Sequence, residues 1–209
     1  TELDKELNEI IKESSFLIIG GAGSIGQSVV KEIFKRSPKI LHVVDISENN
    51  LVELVRDLRS SIGYIPGEFK TYALALGSVE FEMFLLNNSY DHVFNLSALK
   101  HVRSEKDPFT LLRMIRVNIL NSINLIDLLQ NRVKKFFSVS TDKATNPVNI
   151  MGASKSLMEK IIISKKNNFR VSSARFANVA FSNGSLMYGW TQRLLKKQPL
   201  SCPIDIKRF

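Results

Sequence analysis

A hydroxyl, a carboxylate and an amine stand next to one another at Thr141, Asp142 and Lys143. They directly follow residues 136–140, a short apolar run that predicts a buried strand. In open parallel sheets, catalytic groups gather at the carboxyl ends of the strands. Side chains of these three types can transfer protons to and from adjacent atoms of one substrate. The stretch therefore predicts a catalytic site, and the alternative is a surface ion pair at a strand end.

A glycine-rich turn predicts a nucleotide site. Gly20, Gly23 and Gly26 have the spacing G-x-x-G-x-x-G. They follow the first predicted strand and open a helix, which is the context that a dinucleotide-binding loop needs. Glycines let the backbone approach a pyrophosphate, and the helix N-terminus receives its charge. We expect Ser24 and Ile25, at the start of this helix, to join the cofactor contacts.

Asp45 is the second feature of this predicted site. It ends the second predicted strand, about 20 residues beyond the glycines, where a carboxylate binds the adenosine ribose hydroxyls. A carboxylate there repels a 2′-phosphate, and residues 46–48 add neither Arg nor Lys. The sequence therefore favours NAD as the cofactor, with NADP as the alternative, and we place Ser47 in the same site.

Alternating apolar and periodic segments predict the fold that positions these residues. Buried strands are predicted at 16–20, 40–45, 69–75, 92–96, 136–140 and 171–176. Helices are predicted near 25–36, 48–60, 78–87, 108–130, 150–166 and 186–197. This β-then-α order is typical of a parallel sheet with helices on both faces. The sequence thus predicts an α/β fold, a doubly wound parallel sheet of the Rossmann type.

Three regions are expected along the chain. Residues 1–14 form a charged amphipathic helix, and residues 15–180 form the NAD(P)-binding domain. Residues 181–209 begin a small C-terminal substrate-binding region. Because residues 198–209 contain two prolines and end abruptly, we expect this region to be truncated, with its remainder missing.

Composition narrows the class of protein. The net charge is +9 and the isoelectric point about 9.7, but the basic residues form scattered short pairs, so we expect no nucleic-acid partner. No apolar run approaches the roughly 18 residues that span a bilayer, and no signal peptide opens the chain. A single cysteine, Cys202, excludes an intrachain disulfide and fits a reducing compartment. We expect a cytoplasmic protein without a metal site.

Several stretches together resemble the polysaccharide-biosynthesis branch of the extended short-chain dehydrogenase/reductases. They are GGAGSIG at 20–26, SALKHV at 97–102, the run from DP to VN at 107–118, STDKATNPVNIMGASK at 140–155, RFANV at 175–179, SNGS at 182–185 and DIKRF at 205–209. Within that branch the sequence is similar to the UDP-N-acetylglucosamine 4,6-dehydratases, in the subgroup that carries methionine four residues before the active-site lysine. The resemblance implies a role in surface polysaccharide or glycan biosynthesis.

The resemblance also implies a mechanism. NAD(P)+ takes a hydride from C4 of the sugar, a base removes the C5 proton, water leaves from C6, and the hydride returns to C6. By resemblance, Asp142 is the acid that protonates the C6 hydroxyl and Lys143 is the base at C5. Thr141 hydrogen-bonds the C4 oxygen, and Lys155 binds the nicotinamide ribose and lowers nearby pKa values.

Met151 leaves the C4 base open. Most short-chain dehydrogenases have tyrosine at this position, and a thioether cannot accept the C4 hydroxyl proton. Asp142, acting through Thr141 or a water, is the first candidate, and a neutral Lys155 is the second. A tyrosine from elsewhere in the sequence is the third, and the candidates are Tyr64, Tyr72, Tyr90 and Tyr188.

Further binding residues follow from the resemblance. Cofactor contacts are assigned to Ser97, Ala98, Lys100, Asn118 and Lys155. Substrate contacts are assigned to Lys100, Asn178, Ser185 and Arg208. Cationic side chains suit the diphosphate of a UDP-sugar, the expected small-molecule partner, through charge-assisted hydrogen bonds.

Two other functions stay open: a nucleotide-sugar epimerase or reductase of the same superfamily, and a non-catalytic dinucleotide-binding module. The set Thr141, Asp142 and Lys143 favours dehydration, because a simple 4-epimerase needs no acid at C6. The apolar helices predicted at 108–130 and 150–166 favour a homodimer or a higher homo-oligomer. The alternative is that the sheet and loops of the same chain cover both helices.

Overall fold

Short apolar runs form one parallel β-sheet in the computed structural model, which describes residues 2–100, 105–130, 132–165 and 169–200. Its strands are β1 (Ser15–Ile19), β2 (Ile40–Asp45), β3 (Glu68–Ala73), β4 (His92–Asn95), β5 (Lys135–Thr141) and β6 (Arg170–Phe176). Neighbouring strands are parallel and follow the order β3-β2-β1-β4-β5-β6. The predicted doubly wound α/β fold is confirmed.

The described helices lie between and around these strands. They are α1 (Glu2–Lys12), α2 (Ser24–Phe34), α3 (Glu48–Ser61), α4 (Val79–Leu86), α5 (Pro108–Ile115), α6 (Asn121–Leu129), α7 (Ile150–Ser164) and α8 (Leu186–Leu195). The helix predicted at 108–130 is divided, because a π-helical turn at Arg116–Leu120 separates α5 from α6. Such turns are frequent at functional sites, and this one carries Asn118.

The strand order reverses at β1, and this reversal creates the crevice of the fold. The chain moves outward from β1 to β3, crosses to the other side of β1, and continues from β4 to β6. Right-handed crossovers place the helices of the two halves on opposite faces of the sheet. The chain therefore leaves β1 and β4 toward opposite faces of the sheet, and ligands of such sheets bind at this switch point.

Alternate side chains of the buried strands supply a core on each face of the sheet. In β1, Leu17 and Ile19 join one apolar cluster, whereas Phe16 and Ile18 join the other. All five β1 residues are buried, which explains why the strand is a continuous apolar run and not an alternating one. This rigid base fixes the strand ends from which the site is built.

Contacts divide the chain into two units, residues 1–177 and 178–209. The first unit contains the sheet and helices α1 to α7. In the second unit, α8 begins after Ser185, whose hydroxyl accepts a hydrogen bond from the Tyr188 N–H at 3.2 Å. The substrate-binding role predicted for this region stays a prediction. Among the described residues, no helix is both long and apolar enough to cross a membrane.

Candidate active site

The glycine loop joins the carboxyl end of β1 to the start of α2. Gly20 has φ +75°, and a Cβ there would come within 2.7 Å of the Ser97 backbone nitrogen. Only glycine adopts this left-handed conformation without cost, and only glycine leaves room for the chain that leaves β4. The loops after β1 and β4 therefore touch at Gly20, at the switch point of the sheet.

The other glycines of the loop have different functions. A Cβ at Gly26 would collide with the Gly20 carbonyl oxygen, and one at Gly21 would collide with the Val43 side chain. A Cβ at Gly23 would meet only the Gly20 carbonyl oxygen, at 3.4 Å. Gly26 is therefore required for packing of α2, whereas the open side of Gly23 leaves space for a ligand. The spacing argument missed Gly21, whose role depends on a residue of β2.

Asp45 connects this loop to β2. One carboxylate oxygen accepts a hydrogen bond from the Ala22 N–H at 3.0 Å, and the other accepts one from the Ser47 N–H at 3.0 Å. Ser47 in turn caps α3 by accepting a hydrogen bond from the Asn50 N–H. The carboxylate thus holds the glycine loop at the end of β2, next to the place where its predicted ribose contact would form.

Asn118 fixes the segment that follows β4. Its amide oxygen accepts from the Leu99 N–H at 3.0 Å, and its amide nitrogen donates to the Leu99 carbonyl at 3.1 Å. The same nitrogen donates to the Ser154 hydroxyl at 3.1 Å. Asn118 is 1% exposed. Asn118 thus holds the backbone at Leu99, between the predicted cofactor contacts Ala98 and Lys100, to Ser154 of α7.

The predicted catalytic residues form a hydrogen-bonded turn at the carboxyl end of β5. The Thr141 hydroxyl donates to Asp142 Oδ1 at 2.9 Å, and Lys143 Nζ donates to the same oxygen at 3.1 Å. The hydrogen bond from Thr141 and then that from Lys143 lower the pKa of Asp142. Asp142 is therefore an anion near neutral pH, and one of its oxygens accepts hydrogen bonds from both the Thr141 hydroxyl and Lys143 Nζ.

Helix α7 brings Lys155 and Met151 behind this turn. Asn149 caps the helix by accepting from the Gly152 N–H at 2.8 Å, and Glu105 accepts from the Met151 N–H at 2.7 Å. Met151 and Lys155 are each 4% exposed. Burial lowers the pKa of Lys155 to about 8, although the charge of Glu159 opposes this effect.

The turn and α7 are in direct contact. A Cβ at Gly152 would come within 2.5 Å of the Lys143 carbonyl oxygen, so the absence of a side chain there lets the two backbones approach. The predicted catalytic residues at the two ends of the 140–155 stretch thus lie on one packed pair of elements. The sequence did not reveal Glu105 as a partner of α7, because the contact joins positions far apart in the chain.

The tyrosine candidates for the C4 base separate by position. Tyr64 precedes β3 and Tyr90 precedes β4, so both lie at the amino ends of the strands, opposite the predicted site. Tyr90 is also bound to His42 Nδ1 at 2.7 Å. Tyr72 packs on Phe84 and His42, and none of these contacts involves the residues of the catalytic turn.

The remaining predicted residues are distributed as follows. Ser24 and Ile25, at the start of α2, and Ser97 and Ala98, after β4, are partly buried, whereas Lys100 is exposed. The Ser97 hydroxyl donates to Asn95 Oδ1 at 2.7 Å. Asn178 and Ser185 belong to the second unit. Arg208 and Cys202 lie outside the described residues.

Comparison with known proteins identifies the family. The family model described as "Polysaccharide biosynthesis protein" matches residues 16–209. The chain belongs to this family. The match covers the described sheet from the second residue of β1 onward, including the glycine loop and the turn at 141–145, so the resemblance drawn from the motifs is confirmed at the level of the polysaccharide-biosynthesis branch.

Three curated relatives of this chain differ in the activity that their names state. An uncharacterized membrane protein of Methanocaldococcus jannaschii is 35% identical over 98% of this chain and 61% of its own length. The UDP-N-acetylglucosamine 4,6-dehydratase (inverting) of Campylobacter jejuni is 30% identical over 93% of this chain and 58% of its own length. The UDP-glucose 4-epimerase of Rickettsia canadensis is 32% identical over 84% and 52%. The chain therefore spans less than two thirds of each of these relatives.

Solved structures agree with the fold. Pen from Bacillus thuringiensis superimposes with a TM-score of 0.76 at 28% identity, over 89% of this chain and 57% of that one. The enzyme WbmF from Bordetella bronchiseptica, solved in complex with NAD+, has a TM-score of 0.72 at 18% identity, over 93% and 63%. The second likeness is one of fold alone.

Proposed function

We propose that this protein is an NAD-dependent nucleotide-sugar 4,6-dehydratase that acts on UDP-N-acetylglucosamine in surface polysaccharide or glycan biosynthesis. The observation that carries the proposal is the hydrogen-bonded set of Thr141, Asp142 and Lys143 at the carboxyl end of β5. It is packed against the helix that buries Lys155. The family and the dehydratase among its relatives support the same chemistry.

The loop residues fit a dinucleotide. Gly20 and Gly26 permit a tight turn that any side chain would block. A Cβ at Gly23 would meet only the Gly20 carbonyl oxygen, at 3.4 Å, so space is left beside Gly23. The N-terminus of α2 suits a pyrophosphate, and a carboxylate at the end of β2, here Asp45, suits ribose hydroxyls. When bound, NAD+ supplies a hydride acceptor for C4 and, once reduced, a hydride donor for C6. Lys155, on α7, would hold the nicotinamide ribose.

Proton transfer can be assigned to one carboxylate. Because the pKa of Asp142 is lowered by Thr141 and Lys143, Asp142 begins as a base. Thr141 passes the C4 hydroxyl proton to Asp142 as the C4 carbonyl forms. Asp142 then carries this proton to the C6 oxygen, which leaves as water. The absence of tyrosine at position 151 is thereby compensated through Thr141.

Lys143 completes the cycle at C5. As a neutral amine it removes the C5 proton, which the adjacent ketone has made acidic, while the C5–C6 double bond forms. After hydride has returned to C6, the ammonium group gives a proton back to C5. The sugar thus loses one water, and the protein ends in its starting protonation state. The face from which Lys143 reprotonates C5 determines whether that centre inverts.

Epimerization is the second candidate, and the epimerases among the relatives favour it. A 4-epimerase oxidises and reduces the same carbon and needs no acid at C6. In an epimerase, Asp142 would have no proton to give to the C6 oxygen and Lys143 would have none to remove from C5. The two reactions differ in product mass, so one experiment separates them.

The test is incubation of the purified full-length protein with UDP-N-acetylglucosamine in deuterated water, followed by mass spectrometry. Dehydration predicts loss of one water and gain of one deuterium, because the C5 proton exchanges with solvent. A product of unchanged mass without deuterium, separable by chromatography, would indicate the epimerase. Unchanged UDP-N-acetylglucosamine beside turnover of a different nucleotide sugar would correct the substrate.

We also propose that the protein is a homodimer or a higher homo-oligomer. The surfaces of α5 and α7 expose large apolar side chains, with Phe109 79%, Leu112 63% and Leu157 46% exposed. A second copy that covered these faces would remove apolar area from water. Light scattering tests the proposal, and the substitution Leu157→Glu is expected to shift the mass toward the monomer. A wild-type monomer at micromolar concentration would contradict it.

A further inference from the structure

Glu159 lies one helical turn beyond Lys155 on α7, on the same helix face. The two residues are 7% and 4% exposed. A buried carboxylate is costly unless it is paired and hydrogen-bonded. Its partner is therefore informative about what holds this part of the site.

Arg175 of β6 provides that partner. Its Nη2 donates to Glu159 Oε2 at 2.7 Å, and its Nε lies 3.0 and 3.2 Å from Oε1 and Oε2. This forked arrangement gives charge-assisted hydrogen bonds with a defined geometry. Arg175 is the first residue of the RFANV motif, and the sequence predicted no role for it.

A third donor of Arg175 reaches the catalytic turn. Nη1 donates to the Thr145 hydroxyl at 3.3 Å, and the Thr145 N–H donates to the Asp142 carbonyl oxygen at 3.1 Å. One guanidinium group therefore connects α7, through Glu159, with the backbone of Asp142. A lysine could keep the charge at this position but could not make these contacts together.

We propose that Glu159 and Arg175 are positioning residues for the proposed dehydratase reaction, holding the Asp142–Thr145 turn and Lys155 in a fixed mutual arrangement. This inference rests on the proposed function, and it adds two residues that contact neither sugar nor cofactor. Glu159 is buried, whereas the Arg175 side chain is 48% exposed. The inference therefore rests on the geometry by which Arg175 contacts both Glu159 and Thr145.

The pair also affects the ionisation of Lys155. The charges around this face of α7 are Glu159 on the helix, Arg175 on β6, and Asp142 with Lys143 on the turn. The negative charge of Glu159 raises the pKa of Lys155 against the lowering effect of burial. Loss of that charge is expected to lower the pKa of Lys155 further, which provides a readout that a purely structural role would not move.

The experiment compares Glu159→Gln, Arg175→Lys and Arg175→Ala in the full-length protein. Glu32→Gln is the control, because Glu32 of α2 also pairs with an arginine, Arg36, at 2.8 Å but belongs to neither α7 nor the catalytic turn. We expect kcat for UDP-N-acetylglucosamine to fall about tenfold or more in Glu159→Gln with KM within about twofold, the pattern of lost transition-state interactions. The kcat of Arg175→Lys should lie between the values for wild type and Arg175→Ala. The kcat of Glu32→Gln should equal that of wild type.

A second measurement needs no substrate. Lysine labelled with ¹³C at Cε gives an NMR titration curve for each amine, and Lys155→Arg identifies the signal of Lys155. In Glu159→Gln the midpoint for Lys155 should shift down by about one pH unit, and in Glu32→Gln it should stay in place. Wild-type titration and wild-type kcat in Glu159→Gln would overturn the inference. Absence of turnover in wild type, beside the shifted titration, would reject the proposed reaction and keep the electrostatic coupling.

Discussion

The carboxylate of Asp45 accepts a hydrogen bond from the backbone N–H of Ala22 at 3.0 Å, so the end of β2 holds the glycine loop that leaves β1. Through this contact, a residue predicted to select the cofactor also shapes the loop predicted to bind its phosphates. An amide at position 45 keeps the size of the side chain but removes its charge.

We expect Asp45→Asn to weaken NAD+ binding about tenfold, equivalent to ~1.4 kcal/mol, and to weaken NADP+ binding less. The charge that attracts the ribose hydroxyls and repels a 2′-phosphate is lost in both cases. Calorimetric titration with each dinucleotide measures the ratio. Glu48→Gln, which removes an exposed carboxylate from the first turn of α3, is the control. An unchanged preference for NAD+ over NADP+ in Asp45→Asn would contradict the assignment.

Gly23 and Gly26 should respond differently to alanine. In Gly26→Ala the added methyl collides with the Gly20 carbonyl oxygen, so we expect the free energy of unfolding to fall by about 1–3 kcal/mol, as for other overpacked sites. In Gly23→Ala the methyl enters the open space that we predict the dinucleotide occupies, so stability should be nearly unchanged while NAD+ affinity falls. Urea unfolding and NAD+ titration of both variants test this difference. Equal loss of stability in both would show that Gly23 is a packing residue.

The relay from Thr141 to Asp142 predicts which variants lose the first chemical step. Asp142→Asn and Thr141→Val should each reduce kcat about 100-fold or more, within the range for loss of a general acid or base, and should retain NAD+ binding. Thr141→Ser keeps the hydroxyl and should retain most activity. Asp127→Asn removes a carboxylate that pairs with Lys165 at 3.0 Å on the surface, and it should be neutral.

Stopped-flow absorbance of reduced cofactor then identifies the C4 base. If Thr141→Val still reduces the bound cofactor at the wild-type rate, the proton leaves by another route, and Lys155 becomes the base.

At pH values at which the buried Lys155 is charged, it should lower the free energy of unfolding. Burial lowers its pKa from 10.5 to about 8, so between these values the folded protein binds fewer protons than the unfolded chain, and stability rises with pH through that window. Below pH 8 the full penalty is present. We expect Lys155→Met to gain stability there, by on the order of 3 kcal/mol at most, while losing activity. The gain should shrink as the pH approaches 10, and a gain independent of pH would indicate packing alone.

His42 should make stability sensitive to acid. Its Nε2 lies 2.7 Å from Glu68, its Nδ1 lies 2.7 Å from the Tyr90 hydroxyl, and Tyr72 packs against the ring. Burial lowers the pKa of His42 below 6.5, although Glu68 opposes this effect and Lys70 adds to it. The stabilisation from neutral His42 is therefore present above pH 6.5 and is lost as the pH falls below it. Urea midpoints at about pH 7.5 and about pH 5 should differ less in His42→Gln than in wild type.

Local patterns predicted much of the fold because the inner strands β1, β2, β4 and β5 are largely buried and stand out as apolar runs. The glycine spacing likewise marked Gly20 and Gly26, whose backbone requirements are local. Contacts between distant segments were not readable from one sequence. Gly21 depends on Val43, and Arg175 depends on Glu159, and neither pair has a characteristic spacing. The sequence also did not predict the π-helical turn at Arg116–Leu120 that divides the 108–130 helix.

The strand order described above leaves β3 and β6 at the two borders of the sheet, where unpaired backbone groups invite association with another chain. Both strands carry charged side chains, with Glu68 and Lys70 on β3 and Arg170 and Arg175 on β6. Charged side chains on a border strand disfavour its pairing with another chain. Pairing between copies through these borders of the described sheet is therefore disfavoured, and the proposed oligomer would instead use the exposed apolar side chains of α5 and α7.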